Sequence, residues 1–407
     1  MASAEPYEIT VLGATGWTAT ICAEHIAKTF PTTTRWCIAG RSADKLELLR
    51  QSLRAINPDR LEPAIHTIPR LDAKSLDQLI VNTKVLINGI GPYHRYGTPV
   101  VESCARNGTH YVDFSTETAW IADMIRDYHS LAEQSGAIII PAISGSSSPS
   151  DLVAWLLVTH LHDHGLPAPS EVVCSGKLNM LGMQGGSLHT VLDVAEHCGI
   201  GGWLNGDSWI LSQAPKPLKI PPVGLLGYRY DPVLGHLGTS FVAWGNQSVV
   251  QRSASFDAQT YSRDFIFREY IPTSNFFSAA IVHVITKLGI ILLCNSWFRS
   301  FVRRKALDPG SGPDREESRR VESAEWKATV YMKGEKEPVA MAEFGYQGAL
   351  VDMAAILAVE AAAAIMEMSK FKSDGSPIAG ILTPSTLGLW FVDRLKKARF
   401  TLGVYGI

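Results

Sequence analysis

The chain lacks an excess of charge of either sign: Lys and Arg number 37 against 39 Asp and Glu among 407 residues, a net charge of -2. That balance argues against DNA or another nucleic acid as the main partner and points to a small molecule, free or carried on another protein. Cysteine is scarce. Cys22, Cys37, Cys104, Cys174, Cys198 and Cys294 form no C-x-x-C pair, so zinc-ribbon and redox-motif spacings are excluded and buried free thiols are expected. No G-x-S-x-G elbow occurs, which leaves hydrolase chemistry without support, and no metal site is expected. The opening MASAEPYEITVLG has no charged start followed by an apolar run, so no secretory leader and a cytoplasmic nucleotide site are expected.

What is present is ordinary α/β composition, with 46% hydrophobic residues, 34 Gly and 22 Pro. The length exceeds the roughly 250 to 300 residues at which single cores stop growing, so two domains are the expectation.

The first of these is announced by VLGATGWTA, Val11 to Ala19. YEITVLG reads as a parallel strand buried on both faces, ending in Gly13, with a helix starting near Thr18. Glycines at 13 and 16 permit backbone angles and approaches that a Cβ forbids. Gly13, Ala14, Thr15, Gly16, Trp17 and Thr18 would then face a pyrophosphate, with Ala19 as the small residue packing helix on strand. A second strand, RWCIAGRS, ends without the Asp or Glu that would hold the ribose hydroxyls of NAD. Arg41, with Ser42 and Lys45 beside it, suits a 2′-phosphate instead, so the expected cofactor is NADP(H).

The β–α rhythm continues through AIHTIP, KVLINGIGPY, a helix over 98–107, HYVDF, a helix from Thr118, and AIIIPAI. Six strands alternating with helices predict a Rossmann doubly wound parallel sheet. Its ligand edge collects the loops after the strands, with Asp72 near the adenine end and Gly91 and Pro92 in GIGPYHRYG. After residue 150 the pattern changes. EVVCSGKLN, TSFVAWGN, EWKATVYMKG and EPVAMAEFGY read as strands of a mixed sheet, the last two as a hairpin across KGEK. The expected division is 1–150 for the nucleotide domain, 151–347 for an α+β substrate or dimerisation domain, and 348–407 for a helical segment returning to the first. One stretch, 275–305, is long and apolar, carries His283 and Lys287 near its middle, and ends in FRSFVRRK. A buried helix or homodimer surface is the leading reading; an in-plane helix on a membrane or lipid droplet, with Arg299, Arg303, Arg304 and Lys305 near lipid phosphates, is the other.

Taken together, GATGWTA, GPYHRYG, GTHYVDFSTE, SPSDL, GMQGGSLHT, LDPGSGP and AGILTPSTLG, in this order, resemble the saccharopine dehydrogenase-like oxidoreductases, which include trans-acting enoyl reductases. The resemblance spans nearly the whole chain and implies a Rossmann domain, an inserted second α/β domain of mixed sheet, and nicotinamide-dependent reduction. Two motifs depart from the family pattern: Thr116 stands where glycine is usual in DFSTE, and GSSSPSD lacks the first acidic residue of its counterpart.

Hydride transfer to a polarised double bond leaves charge that needs a proton donor or electrostatic partner. Candidates are Tyr93 and His94 after the fourth strand, Asp113 and Glu117 around the end of the fifth, and His189 in the glycine-rich loop of the second domain. Capping of the following helix is the alternative role for the two carboxylates. The expected activity is NADPH-dependent reduction of a C=C (enoyl) or C=N bond in specialised, polyketide-like metabolism. Its rivals are a non-redox isomerase or cyclase on the same scaffold and a lipid-associated nucleotide-binding protein.

Overall fold

Strand β1 (Tyr7–Leu12) buries Ile9, Val11 and Leu12 completely, as a strand covered on both faces must. The structure, a computed structural model, describes residues 5–204, 206–308, 310–371 and 378–407. After β1 come α1 (Trp17–Thr29), β2 (Trp36–Gly40), α2 (Ala43–Ile56), β3 (Ala64–Thr67), α3 (Ala73–Ile80) and β4 (Thr83–Asn88). The single turn α4 (Tyr93–Tyr96), α5 (Thr98–Asn107), β5 (His110–Asp113), α6 (Thr118–Ser135) and β6 (Ile138–Ile140) complete the alternation. These strands pair in parallel in the order β3-β2-β1-β4-β5-β6. The order reverses between β1 and β4, and ligands of doubly wound sheets sit beyond the strand ends at that switch point.

Local chemistry explains the boundaries. Helix α2 buries Leu46, Leu49 and Leu53, spaced on one face. Helices α5 and α6 stop at Gly108 and Gly136, whose left-handed φ of 73° and 79° end a helix without a Cβ penalty.

The chain then runs through α7 (Ser147–Asp163), β7 (Glu171–Asn179), α8 (Gly185–Leu204), β8 (Arg229–Asp231), β9 (Gly235–Thr239), α9 (Ala243–Phe256) and β10 (Ile266–Pro272). It continues with α10 (Phe276–Cys294), α11 (Ser296–Lys305), α12 (Arg315–Val321), β11 (Ser323–Tyr331), β12 (Ala340–Gln347), α13 (Leu350–Phe371), β13 (Gly380–Ile381), α14 (Gly388–Lys397) and β14 (Thr401–Gly406). A second sheet has the order β14-β12-β11-β7-β10-β9-β8. It is mixed: β7 and β10 are parallel and the other pairs antiparallel, with β11 and β12 forming the hairpin expected across KGEK.

Two compact units result. One comprises Met1–Gly145, Gly310–Gly312 and Val351–Ala398; the other comprises Ser146–Pro309, Pro313–Leu350 and Arg399–Ile407. In the first, β13 adds to β6 in parallel, fixed by His129, whose Nδ1 accepts from the Ile381 amide at 2.9 Å. Helix α13 buries Ala355, Ala358, Ala361, Ala362 and Ala364 there. Its Glu360 is buried but paired, 2.8 Å from His25 Nε2 and 2.7 Å from Arg394 Nε, which is how a charged side chain survives inside an alanine-rich helix.

The second unit has a polar interior. Glu269 of β10 accepts from Ser150 Oγ at 2.6 Å and from Asn246 Nδ2 at 2.9 and 3.0 Å, while Ser253 Oγ donates to Asp151 at 2.5 Å. TSFVAWGN is corrected here: β9 ends at Thr239, and Ala243 to Asn246 already belong to α9. That helix buries Asn246, Ser248, Gln251, Arg252 and Ser253 alongside only Val249 and Val250, so its inward face is mostly polar and lacks the repeating apolar stripe that marks a helix in the sequence. Cys22, Cys37, Cys104 and Cys174 are buried free thiols and Cys294 is half-buried; the side chain of Cys198 lies outside the described residues.

Candidate cofactor and active site

At the switch point the backbone of β1, β4 and α1 comes together with almost no side chain between. Gly13 has φ +73°, and a Cβ there would stand 2.7 Å from Ile90 Cγ1. A Cβ on Gly89, one residue past β4, would stand 2.6 Å from the Cβ of Ala19 on α1. Ala19 is therefore the small residue at the helix–strand contact, as expected. Its partner Gly89, and Ile90 beside it, escaped the sequence reading, although NGIG was visible after the fourth strand.

The turn itself is hydrogen-bonded. Gly13 and Ala14 donate to Ala39 O at 2.8 and 3.1 Å, Gly16 N donates to Gly13 O at 2.8 Å, and Thr20 Oγ1 donates to Ala14 O. Helix α1 starts at Trp17, one residue before the expected Thr18, and its N-cap Gly16 offers no side-chain cap. The first-turn amides of Trp17, Thr18 and Ala19 have no carbonyl within the helix to bond, so the helix opens with donors and positive dipole. Trp17 Nε1 is buried without a hydrogen-bond partner among the described residues, beside Gly312.

Arg41 is exposed directly after β2, and no carboxylate stands between the strand end and α2. Ser42 caps α2, accepting from Lys45 N at 3.4 Å. Asp72 likewise caps α3, accepting from Ser75 N at 2.9 Å; that bond, first among its influences, holds its carboxyl below the usual range. The structure gives Asp72 a capping role.

Across β4 and β5 a polar knot ties the loops. Glu117 is nearly inaccessible and accepts from Tyr93 N at 2.7 Å, His94 N at 2.9 Å and His94 Nδ1 at 2.5 Å. Arg95 Nε donates to the other ring nitrogen, Nε2, at 3.4 Å. These partners assign the proton to Nδ1 and the lone pair to Nε2. Gly91 and Pro92, joined by a cis peptide bond, lead into this turn.

Tyr93, expected as a proton donor, has its phenol buried and hydrogen-bonded within the fold. Its buried phenol donates to Asn88 O at 3.1 Å and accepts from Phe114 N at 3.2 Å, its ring lies 5.6 Å from that of Trp120, and burial pushes the phenol well above its ordinary range. It is a strut between β4 and β5. Asp113, another expected catalytic residue, is likewise engaged within the fold. It is wholly buried, accepting from Tyr111 Oη at 2.7 Å, Ser115 N at 2.9 Å and Ala142 N at 3.0 Å, and the last bond holds Ala142 at its left-handed φ of 63°. Burial pushes its carboxyl up to about 7. His189 is half-buried on α8 of the second unit. Among the expected catalytic residues, the structure brings together His94 and Glu117 as a partnered pair.

Residues 9–140 match the model of the saccharopine dehydrogenase NADP-binding domain. Over 98% of its length the chain is similar to trans-acting enoyl reductases of Mycobacterium tuberculosis and Mycobacterium ulcerans, each 27% identical and each covered over 97% of its own length. The saccharopine dehydrogenase (L-Glu forming) of Saccharomyces cerevisiae, in its apo form, has a similar fold. Its TM-score is 0.54 with 13% identity, over 98% of this chain and 99% of that one.

The NADP-binding domain contains residues that fit its cofactor: a seam that any Cβ would fill, uncapped amides suited to a pyrophosphate, and an orphaned indole N–H in the turn.

Asp113 generates a prediction with a definite sign. A carboxyl at about 7 in the folded chain and near 3.8 in the unfolded one gives the folded state more bound protons between those values. Its contribution is fully present below about pH 4 and is lost as pH rises through 7. Asp113→Asn should therefore lose less stability than the parent between pH 5 and pH 8, as read from urea unfolding midpoints. Glu269, also raised to about 7, leaves a residual slope in both proteins.

Proposed function

We propose that this chain is an NADPH-dependent reductase acting on a carbon–carbon double bond conjugated to a carbonyl, in a small acyl intermediate, free or carrier-bound, of specialised, polyketide-like metabolism. The observation that carries the reading is the uncapped start of α1 over the glycine seam, at the switch point of an NADP-binding domain whose second strand ends in Arg41. Full-length similarity to proteins named trans-acting enoyl reductases favours C=C over C=N as the bond reduced.

Bound NADPH supplies the hydride, which goes to the carbon β to the carbonyl. The first-turn amides of Trp17, Thr18 and Ala19 would hold the pyrophosphate, over a turn whose Gly13, Ala14 and Gly16 amides are bonded internally, and Arg41 would hold the 2′-phosphate by a charge-assisted bond. The α-carbon then needs a proton. His94 is the group to pass it: Glu117 accepts from Nδ1–H and fixes the ring, and the Nε2 lone pair, released from Arg95, takes a proton from solvent water and hands it to the α-carbon. Glu117 also holds the amides of residues 93 and 94, so it positions His94 through backbone as well as side chain.

Two outcomes test this. Arg41→Ala should weaken NADPH binding roughly 10- to 100-fold and leave NADH binding unchanged, followed by tryptophan fluorescence, because a charge-assisted bond is worth about 1.5 to 3 kcal/mol. An unchanged preference for NADPH would remove Arg41 from the site. His94→Gln should lower turnover of a 2-enoyl thioester by roughly 100-fold or more while NADPH affinity is retained. Product formed without NADPH consumption would instead support the isomerase reading, and turnover of cyclic imines alone would assign the reaction to C=N.

A further inference from the structure

Helix α10 is long and apolar enough to cross a membrane by length and composition, yet it is seated along the second unit. Its Ala279 and Ile290 are buried, and Ala279 lies so close to Gly238 of β9 that a Cβ on that glycine would stand 3.3 Å away. His283, costly in a free apolar helix, faces inward and meets Thr239 Oγ1 at 2.8 Å. These contacts fix the helix along the unit's surface and leave one face outward.

That face is a continuous apolar stripe. Phe277, Ile281, Ile285, Leu288 and Leu292 recur at helical spacing, with Phe277 76% and Ile285 64% exposed. Leu225, in the 3-10 turn Leu225–Gly227 that packs beside α10, is 75% exposed and adds to it. Soluble chains rarely leave such a patch uncovered.

The next helix supplies charge of one sign. On α11 the exposed Trp297 and Phe301 stack, with ring centroids 6.3 Å apart, and Arg304 and Lys305 follow one turn on at the same face. Arg303 is held by Asp193 at 2.6 Å, and Arg299 by the carbonyls of Leu293 and Cys294. Arg304 and Lys305 stand in no ion pair among the described residues and are exposed. From Asn275 to Lys305 there is no Asp or Glu, in a chain that otherwise carries 39, while Lys287, Arg299, Arg303, Arg304 and Lys305 are basic. Apolar stripe, amphipathic aromatics and unpaired cations in sequence match the depth profile of a bilayer surface, from acyl chain to headgroup to phosphate.

We propose that the outward face of α10 and α11 docks in the plane of a bilayer containing anionic phospholipid, without spanning it. The full-length protein should float with phosphatidylserine-containing vesicles, float less with pure phosphatidylcholine, and be released by salt. Arg304→Glu with Lys305→Glu should weaken the first interaction roughly 10-fold or more. Ile285→Ser with Leu288→Ser should abolish it while NADPH binding, in the other unit, reports that the protein is intact. Failure of the parent protein to float with either vesicle would overturn the proposal. So would a dimer by light scattering that Ile285→Ser with Leu288→Ser turns into a vesicle-indifferent monomer, since a second copy would then be what covers the face.

Discussion

The first unit depends on a steric constraint: three backbones meet where β1, β4 and α1 converge, and Gly13, Gly89 and Ala19 leave no room for anything larger. A Cβ on Gly89 would overlap the methyl of Ala19, and one on Gly13 would press on Ile90 in a backbone conformation that L-residues avoid. This packing sets where α1 begins and therefore where its unbonded amides open. The cost of a glycine-rich seam in a core is conformational entropy and lost apolar area, and it falls on an otherwise well-filled sheet, with Ile9, Val11, Leu12, Val85, Leu86 and Ile87 fully buried around it.

Buried carboxylates do the second kind of work. Asp113 and Glu117 lie four residues apart, yet their environments differ. Asp113 is enclosed and satisfied by fixed donors, so it secures the β5 and β6 ends and the left-handed Ala142. Glu117 reaches across to the loop after β4, where its partner His94 retains some exposure. One acid holds the scaffold and the other holds a side chain able to move a proton. In the second unit Glu269 plays the scaffolding role, with Ser150 and Asn246 as its partners.

Much of this was legible in the chain. Continuous apolar runs ending in glycine marked β1 and β2, the 98–107 helix was bracketed by Pro99 and Gly108, and the lack of an acid after β2 pointed to NADP. Other features depend on contacts distant in sequence. A two-residue strand such as β13 has no periodicity, and α9 turns polar groups inward. The fates of Tyr93 and Asp113 turn on Asn88, Phe114, Tyr111 and Ala142, whose proximity only the folded sheet creates. His94 and Glu117, 23 residues apart, were each visible as candidates, but their pairing was not.

The central claim is that the opening of α1 holds NADPH, and hydrogen–deuterium exchange of the backbone amides tests it most directly. Saturating NADPH should slow exchange across Gly13 to Ala19 and at Arg41 to Ala43, whereas NADH should protect the first segment far less and leave the second unchanged. Exchange across Gly13 to Ala19 that is the same with and without NADPH would contradict the account.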